Sequence, residues 1–381
     1  MSDWRYFATR LNGDGTETLL ASDMPLSGVT ITDALSQPDS IDFDVEPEIP
    51  ELKTANGSPL FLPWSTAVYA EKDGKIRHGS IVSNLSTSAN GSSLKVTSRG
   101  FANYPQGMPW TNSTKKLYQV DPADMVRLIW STLQTHPRGN LGVRLSTDVK
   151  TPVRVGAKAA ALTDTMGQEV DAAKDEPLLF ANYATTDLGK MVDELLEAGS
   201  IDYREEHSWR PDGTIDHFIR LAYPRMGVRR TDIAFNTEAN CQVVPEVDID
   251  ADDYASECLL LCAGEGDKMV RSHAYNTQAS RLRRVNVKLA KHIGRQATAN
   301  TAAVARAKLM NTFNTDVQQI QVYDHPNAPL FSWNTGDEVR LTGFAGWGGT
   351  LDMWVRVLAT SYNPDSNAAG ATLTVVRADR V

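Results

Sequence analysis

Short runs in which polar and apolar residues alternate recur through the first 104 positions, most clearly at residues 40–45 and 66–71. A period of two residues is typical of a strand with one buried face. Turn-forming pairs such as Asp73-Gly74 and Asn90-Gly91 separate the runs at regular spacing. The pattern predicts about seven strands in this region, which is typical of a barrel or a sandwich.

A second alternating pattern lies near the C-terminus. It predicts three strands at residues 338–342, 353–359 and 372–376, separated by turn-rich loops at residues 343–349 and 363–370. Together they form a three-strand antiparallel meander. Three strands alone bury too little apolar surface to be stable, so we expect the rest of the chain to cover this meander.

Between these two regions, apolar residues follow a helical spacing. Asp121 and Pro122 are the N-cap and first-turn pair of one amphipathic helix, and Asp187 caps a second helix that Gly199 closes. Three further elements are predicted in the same way, namely a loop-rich stretch, a hairpin and an Ala-rich helix, at residues 145–176, 201–221 and 299–313.

The elements together predict an α+β protein that is mainly β. Two barrel-like β units are expected to flank a middle region with two amphipathic helices and a hairpin. A chain of 381 residues is too long for one ordinary core. We therefore predict three regions, with the second β unit containing an inserted helix, at residues 1–110, 111–240 and 241–381.

Composition narrows the class of protein. The apolar content of 41% is that of a folded protein, and the net charge of −9 argues against a nucleic-acid binder, which usually carries a basic excess. Residues 1–7 lack the basic and apolar segments of a signal peptide. No window approaches the roughly 18 apolar residues that span a bilayer. We expect synthesis in a cytoplasm and no membrane span.

His207 and His217 are the most suggestive pair of titratable residues, because they flank the predicted hairpin with Glu205 and Glu206 nearby. Such a set has the residue types of a metal site or an acid–base pair. Strands of this length usually expose one face to solvent, however. We therefore interpret the two histidines as part of a solvated strand face.

Two other patterns have simple structural explanations. The acidic side chains between Asp42 and Glu48 alternate with apolar residues, as on the outer face of one strand. The Gly-rich residues 264–267 lack the third glycine and helix of a dinucleotide site and the Lys-Ser/Thr of a phosphate loop. We predict a hairpin turn there.

The last two groups are a basic cluster and three cysteines. The basic residues alternate with Leu282, Val285, Val287 and Leu289, so we interpret them as the solvent face of one strand. The cysteines lack metal-type spacing, and we expect free thiols that pack as small apolar groups. The basic residues are Arg281, Arg283, Arg284, Lys288 and Lys291. The cysteines are Cys241, Cys258 and Cys262.

The chain has no Gly-x-Ser-x-Gly elbow and no His-Glu-x-x-His motif. We predict no catalytic, cofactor-binding or metal-binding residue and no cofactor. The sequence thus favours an assembly protein over an enzyme.

The order of elements resembles the tail hub or baseplate hub proteins of long-tailed bacteriophages, often called minor tail proteins in phages of actinobacteria. It is also similar to the N-terminal region of tail-associated lysin-type hubs. The resemblance covers nearly the whole chain and rests on patterns of glycines and strands. These patterns lie at residues 74–82, 96–104, 253–255, 262–266 and 336–339, and in the helices that follow Asp121 and Asp187 and begin at Ala299.

This resemblance implies a structural virion protein at the tail tip, assembled in the host cytoplasm. Two barrel-like units per subunit of a homotrimer would form a near six-fold ring around the DNA exit channel. The implied partners are the distal tail protein or tail tube above, the tape measure protein at the lumen, and spike or fibre minor tail proteins below. Because the chain ends at Val381, directly after the meander, lytic and receptor-binding activities are expected on other proteins.

Two alternatives remain open. The chain could be the hexameric distal tail protein, although the second β unit argues against it. It could also be a carbohydrate-binding or wall-degrading tail module that uses tryptophans as sugar-stacking platforms. The tryptophans concerned lie mostly in or beside strands, where packing is their commoner use, at Trp64, Trp110, Trp209, Trp333, Trp347 and Trp354.

Overall fold

Strand pairing joins the two ends of the chain in this computed structural model. The helices and strands below belong to the part of the chain that the structure describes. That part comprises residues 4–46, 53–54, 57–87, 93–156, 162–163, 169–170, 177–184, 187–244, 255–264, 266, 269–276, 282–290, 293–310, 317–344, 349–365 and 370–378.

The N-terminal region contains seven strands, and every neighbouring pair is antiparallel. This confirms the strands predicted from the alternating pattern, although the turn at Asn90-Gly91 lies outside the described residues. The strands are β1 (Arg5–Leu11), β2 (Glu17–Ala21), β3 (Ser27–Ala34), β4 (Ser40–Val45), β5 (Thr66–Lys72), β6 (Lys75–Thr87) and β7 (Leu94–Arg99). Asp42 and Asp44 alternate with buried residues on β4, as predicted, whereas Glu48 lies outside the described residues.

The middle region contains two helices and the predicted hairpin, formed by antiparallel β13 and β14. Of the predicted loop-rich stretch at residues 145–176, the described part includes one pair of two-residue strands, β10 and β11. The elements are β8 (Lys115–Leu117), α1 (Pro122–Thr135), β9 (Val143–Leu145), β10 (Leu162–Thr163), β11 (Glu169–Val170), β12 (Leu178–Phe180), α2 (Leu188–Gly199), β13 (Asp202–Trp209), β14 (Ile215–Ala222) and β15 (Arg229–Asn236). The third region begins with β16 (Cys241–Val244).

Both predicted N-caps are confirmed. Oδ1 of Asp121 accepts from the backbone nitrogen of Ala123 at 2.9 Å, and Oδ1 of Asp187 accepts from those of Gly189 and Lys190 at 2.9 and 3.4 Å. These bonds satisfy N–H groups that have no partner within the helix.

Helix α2 ends at Gly199, but the left-handed residue that caps it is Ser200, with φ of 51°. Gly199 serves close packing instead, because a Cβ atom there would lie 2.7 Å from Cδ1 of Ile201.

A smaller unit follows, in which helix α3 covers a three-stranded sheet of order β18-β17-β19. Cys258 and Cys262 lie in its core as buried free thiols, and Cys241 is also buried and free, which confirms the prediction for the cysteines. The elements are β17 (Glu257–Leu261), β18 (Arg271–Tyr275), β19 (Val285–Leu289) and α3 (Gln296–Met310). Helix α3 begins three residues before the predicted start, and its predicted end at residues 311–313 lies outside the described residues.

The last strands are β20 (Gln319–Tyr323), β21 (Glu338–Phe344), β22 (Thr350–Tyr362) and β23 (Gly370–Arg377). Antiparallel β21, β22 and β23 confirm the predicted meander. Residues 345–348 and 366–369 of its two loops lie outside the described residues.

Strand β22 connects this meander to the N-terminal strands. One half of β22 pairs with β21, and its other half pairs with β3 across residues 31–34. The result is a 13-stranded sheet of order β16-β20-β23-β22-β3-β4-β7-β6-β5-β1-β2, with β21 and β15 branching from β22. Closure of either β region into a barrel remains a prediction.

Both faces of the N-terminal strands are covered. Tyr6 and Ala8 of β1 belong to a core shared with the C-terminal strands, as the meander requires. Phe7 of β1 and Tyr69 of β5 belong to a second core that contains α1, α2 and the hairpin. The helical middle region therefore packs on the face of the N-terminal strands opposite to the shared core. In the part of the chain that is described, no helix has the length and apolar character needed to cross a bilayer.

Arg356 of β22 is a buried charged residue that ties three regions together. Its guanidinium donates to Oδ2 of Asp202 at 2.5 Å, to the carbonyl of Met226 at 3.0 Å and to that of Gly336 at 3.2 Å. Burying a charge is tolerated only when it is paired and hydrogen-bonded. This set of partners therefore fixes the start of the hairpin against the meander.

We expect Asp187→Ala to lower the free energy of unfolding by about 1 kcal/mol, because the first turn of α2 loses its cap. Oδ1 of Asp187 also accepts from the backbone nitrogen of Gly107 at 3.0 Å, so one side chain holds two segments. Urea denaturation would measure the change. Asp187→Ser is the control, since serine keeps a capping oxygen, and an equal loss in both variants would contradict the prediction.

Candidate functional site

The hairpin presents a polar face to the sheet. On β13 the buried positions are Tyr203, Glu205 and His207, and on β14 the buried positions include His217. The interpretation of the two histidines as a solvated strand face is therefore wrong. The sheet covers this face, because β13 packs against β6 of the N-terminal strands.

His207 and His217 are directly opposite each other in the antiparallel pair. Their Nδ1 atoms are 2.9 Å apart, so one ring donates and the other accepts. Phe101, in a single 3-10 turn after β7, stacks on His217 with 4.2 Å between ring centroids. The pair is thus held between its neighbours at a fixed distance.

Glu17 of β2 closes one end of the cluster. Its carboxylate accepts from Nε2 of His217 at 2.6 Å, from the hydroxyl of Tyr69 at 2.9 Å and from Oγ1 of Thr9 at 2.5 Å. Burial alone would raise the pKa of Glu17, but the bond and charge interaction with His217 and the two hydroxyl bonds outweigh burial and lower this pKa. Glu17 is therefore the anionic end.

Glu205, Asp39 and His78 form the other end. Oε1 of Glu205 accepts from the backbone nitrogen of Asp39 at 3.2 Å. Oε2 of Glu205 lies 3.9 Å from Nε2 of His207, and Oδ2 of Asp39 lies 3.9 Å from Nδ1 of His78. These two distances are too long for hydrogen bonds. Gly100 makes room for this end, because a Cβ atom there would overlap Oε1 of Glu205.

Burial dominates the titration of this second end. Burial and the neighbouring charge of Asp39 hold the pKa of Glu205 well above its usual range, and burial together with Asp33 does the same for Asp39. Burial and the adjacent His217 hold the pKa of His207 well below its usual range, and burial lowers the pKa of His78 to about 4. Burial thus disfavours the charged form of all four groups.

The arrangement does not have the geometry of a metal centre. Within the described residues, no group of three or more His, Cys, Asp or Glu side chains has a geometry that could hold a metal ion. The cluster is also closed to solvent, since Glu205, His207 and His217 are each less than 10% exposed. A buried polar cluster of this kind can bind one layer of a protein to another.

Arg283, Arg284 and Lys288 are exposed to solvent, as predicted, although only Lys288 lies within β19. Arg283 pairs with Glu257, and the apolar residues that alternate with the cations are exposed as well. Val287 and Leu289 are 55% and 65% exposed. Helix α3 covers the opposite face of this sheet, and β19 is an edge strand. Arg281 and Lys291 lie outside the described residues.

The tryptophans give limited support to sugar binding. Trp110 and Trp333 are buried in the cores, which removes them as stacking platforms. Trp209 stacks on Phe7 at 5.2 Å, and Trp64 is 52% exposed. Trp347 lies outside the described residues.

An open groove of about 890 Å³ lies beside the Arg356–Asp202 pair. Asp193, Glu197 and Arg225 are among its lining residues. Its walls carry charges of both signs, and residues of α2 form part of these walls.

Sequence reasoning missed Glu17, Asp39 and His78, which lie far from the hairpin in sequence. Glu205 and His207 carry a signal that could have been found. Both residues lie at alternate positions from Tyr203 on β13, so the three side chains point to the same face of the strand. Any layer that buries Tyr203 therefore also buries Glu205 and His207.

Comparison with known proteins gives structural matches alone. No protein-family model matches the sequence, and no curated protein matches it. The prophage tail protein gp18 of Listeria monocytogenes EGD-e matches 97% of this chain and 94% of its own, with 14% identity and a TM-score of 0.53. The 43 kDa tail protein of prophage MuSo2 from Shewanella oneidensis matches 99% of both chains, with 11% identity and a TM-score of 0.57.

The chain has the fold of prophage tail proteins. A chain of the lidded Francisella PdpA-VgrG complex also matches, over 100% of this chain and 53% of that chain, with 8% identity and a TM-score of 0.52. The fold expected from the resemblance to phage tail proteins is thereby confirmed.

We expect Glu17→Gln to lower the free energy of unfolding at neutral pH by about 1–3 kcal/mol, because three donors lose a charged acceptor. The folded pKa of Glu17 is lowered, so its contribution is present above the unfolded pKa of 4.5 and disappears as pH falls. The difference in the free energy of unfolding between wild type and Glu17→Gln should therefore become smaller below about pH 4.5.

Chemical denaturation across pH would measure both effects. Glu238→Gln, at an exposed glutamate, is the matched control. A loss in Glu17→Gln no larger than in this control would show that the carboxylate does not stabilise the cluster.

Proposed function

We propose that this chain is a structural, non-enzymatic protein of a phage tail, located at the tail tip as a hub. The observation that carries this proposal is the match to two prophage tail proteins over nearly the full length of both partners. A match of that extent includes the middle region as well as both β-rich ends. The closed histidine–carboxylate cluster supports a structural role, because a substrate has no access to it.

The proposed assembly is a homotrimer in which each subunit contributes two β regions to a ring of near six-fold symmetry. Such a ring would match a six-fold distal tail protein or tail tube on one side and a three-fold spike or fibre on the other. The tape measure protein would end at its lumen. We further propose the three-part division of each subunit at residues 110 and 240, assembly in the host cytoplasm, and a place in the virion.

The acidic composition suits a DNA exit channel. With a net charge of −9, acids that face the lumen would repel DNA and keep it from binding during passage. Ring interfaces of obligate assemblies are large, generally above about 2,000 Å² in total. The apolar surface for such an interface has to be exposed in the isolated subunit.

Strand β19 offers a surface of that kind. Val285, Val287 and Leu289 lie side by side on the face away from α3 and are 39–65% exposed. Unpaired edge strands with apolar side chains tend to pair with another chain. We propose that a neighbouring copy of this chain covers the row in the ring.

The native mass of the purified protein tests the trimer. We expect three times the chain mass of 41.8 kDa, by light scattering or native mass spectrometry across a concentration series. Val287→Asp should dissociate the ring, because a carboxylate in an apolar interface is costly to desolvate. Its fold should remain intact, since Val287 is exposed in the subunit.

Lys288→Ala is the matched control, because it makes the same change in net charge at the neighbouring exposed position. A hexamer would favour the distal tail protein over the hub. A trimer that Val287→Asp leaves intact would rule out β19 as the interface.

A further inference from the structure

Residues 255–310, which form the small unit of β17, β18, β19 and α3, are inserted between two paired strands. Strands β16 and β20 are antiparallel neighbours, and Val244 at the end of β16 pairs with Gln319 at the start of β20. The chain therefore leaves the large sheet and returns to it at one place. The ends of this inserted unit also meet, because the backbone nitrogen of Ala255 donates to the carbonyl of Met310 at 3.2 Å.

The inserted unit has a core of its own, in which α3 packs on one face of the three-stranded sheet. Every residue of this core comes from inside the unit. Among the described residues, the hydrogen bonds and ion pairs of the unit also join two of its own residues. Its fold therefore depends little on the large sheet. The buried core residues are Cys258, Leu260, Cys262, Ala274, Ala290, Ala299, Ala303 and Ala307.

The inserted unit and the rest of the chain carry opposite charges. Residues 255–310 contain ten lysines and arginines against three aspartates and glutamates, which gives a net charge of +7. The rest of the chain, residues 1–254 and 311–381, contains 28 against 44, which gives −16. We call this remainder the acidic body. Such an asymmetry within one chain indicates that the basic part has an anionic partner.

The positive charge is not neutralised inside the inserted unit. Glu257 is its one acidic residue in the described part of the chain, and it is already paired with Arg283 and His273. No ion pair between described residues involves the other described cations, and all of these except the half-buried Arg306 are exposed. They are Arg271, Arg284, Lys288, Arg295, Arg306 and Lys308.

The sheet face that points away from α3 is apolar at its centre. Leu259 and Leu261 of β17 lie opposite Val287 and Leu289 of β19 in the parallel pair. On β18, Arg271, His273 and Tyr275 alternate with buried residues and are exposed on the same face. An apolar centre with charged residues at its margin is the anatomy of a protein interface, and soluble proteins rarely expose such a face to water.

A protein partner fits this face better than a nucleic acid does. Sites for single-stranded nucleic acid combine cations with several aromatic rings on which bases stack. The inserted unit contains one tyrosine and no phenylalanine or tryptophan. Phosphates would also leave the leucine and valine side chains without apolar contact, and the charge of the acidic body would repel a polyanion. A protein surface rich in carboxylates satisfies both the charge and the apolar centre.

We propose that the inserted unit is a docking module that binds the acidic body of a neighbouring copy of this chain. The proposal rests on the proposed function in one respect, the presence of several copies in a ring. Opposite charges speed the encounter and fix its orientation, while the apolar face excludes water from the contact. Such a contact joins two different surfaces of the same chain, and repeated contacts of this kind close into a ring when the rotation allows it.

The double variant Arg271→Glu with Arg284→Glu, made in the full chain, tests the module. It lowers the net charge of the inserted unit from +7 to +3, and both side chains are exposed, so the fold should remain intact. We expect the constant for self-association to fall by about tenfold or more at low salt, because the unit attracts the acidic body less strongly. The difference should shrink at high salt, which screens these charges. Sedimentation equilibrium would measure both effects, and circular dichroism would check the fold.

The double variant Lys75→Glu with Lys95→Glu is the matched control. It makes the same change in net charge at two exposed lysines of the N-terminal strands. Self-association should stay equal or become stronger, because the acidic body gains negative charge. An equal loss in both double variants, or no loss in the first, would overturn the proposal.

The number of copies in the assembly separates this proposal from the proposed trimer. A trimer that Arg271→Glu with Arg284→Glu leaves unchanged would retain the hub and overturn the docking module. An assembly of another size that this variant weakens would do the reverse. A full chain that stays monomeric at every concentration would overturn both.

A labelled DNA duplex distinguishes the other class of anionic partner. We expect the full chain to show no binding to it in fluorescence anisotropy at the salt concentration where self-association is strong. Binding that Arg271→Glu with Arg284→Glu abolishes, together with unchanged self-association, would assign the inserted unit to nucleic acid and overturn the proposal.

Discussion

The structure depends on one strand that has two partners along a single edge. Strand β22 is 13 residues long, and it needs that length because β21 occupies one half of the edge and β3 the other. Arg356, at the transition, is buried and reaches the hairpin through Asp202. Without this junction, the N-terminal strands and the meander would each have an open edge. With it, they share one core and one sheet.

Local structure could be predicted well from the sequence, for physical reasons. Alternation of period two identifies strands because one face of each is buried. Side chains such as Asp121 and Asp187 identify helix starts because orphan N–H groups require acceptors. The pairing of β3 with β22 could not be predicted, since residues more than 300 positions apart carry no local signal of their contact. The cap at Ser200 was missed for a related reason, because a non-glycine residue in the left-handed region is uncommon.

The candidate site was the least predictable part. A polar residue on a strand is usually assigned to solvent, and that rule fails where a second layer covers the strand. Glu205 and His207 share a face with Tyr203, but whether that face is buried depends on β6, which lies more than 100 residues earlier in the sequence. Glu17 and Asp39 enter the cluster from two further places in the chain. Such a network exists through tertiary contact alone, so its recognition requires the fold.

The position of β22 also determines how the subunit would carry mechanical load. Over residues 355–362, β22 has neighbouring strands on both edges, with β23 on one side and β21 followed by β3 on the other. A pull along the strand axis loads these bonds in shear, so many have to break at once. A pull across the sheet would open them one after another. The junction at β22 should therefore resist tension along the strand better than tension across the sheet.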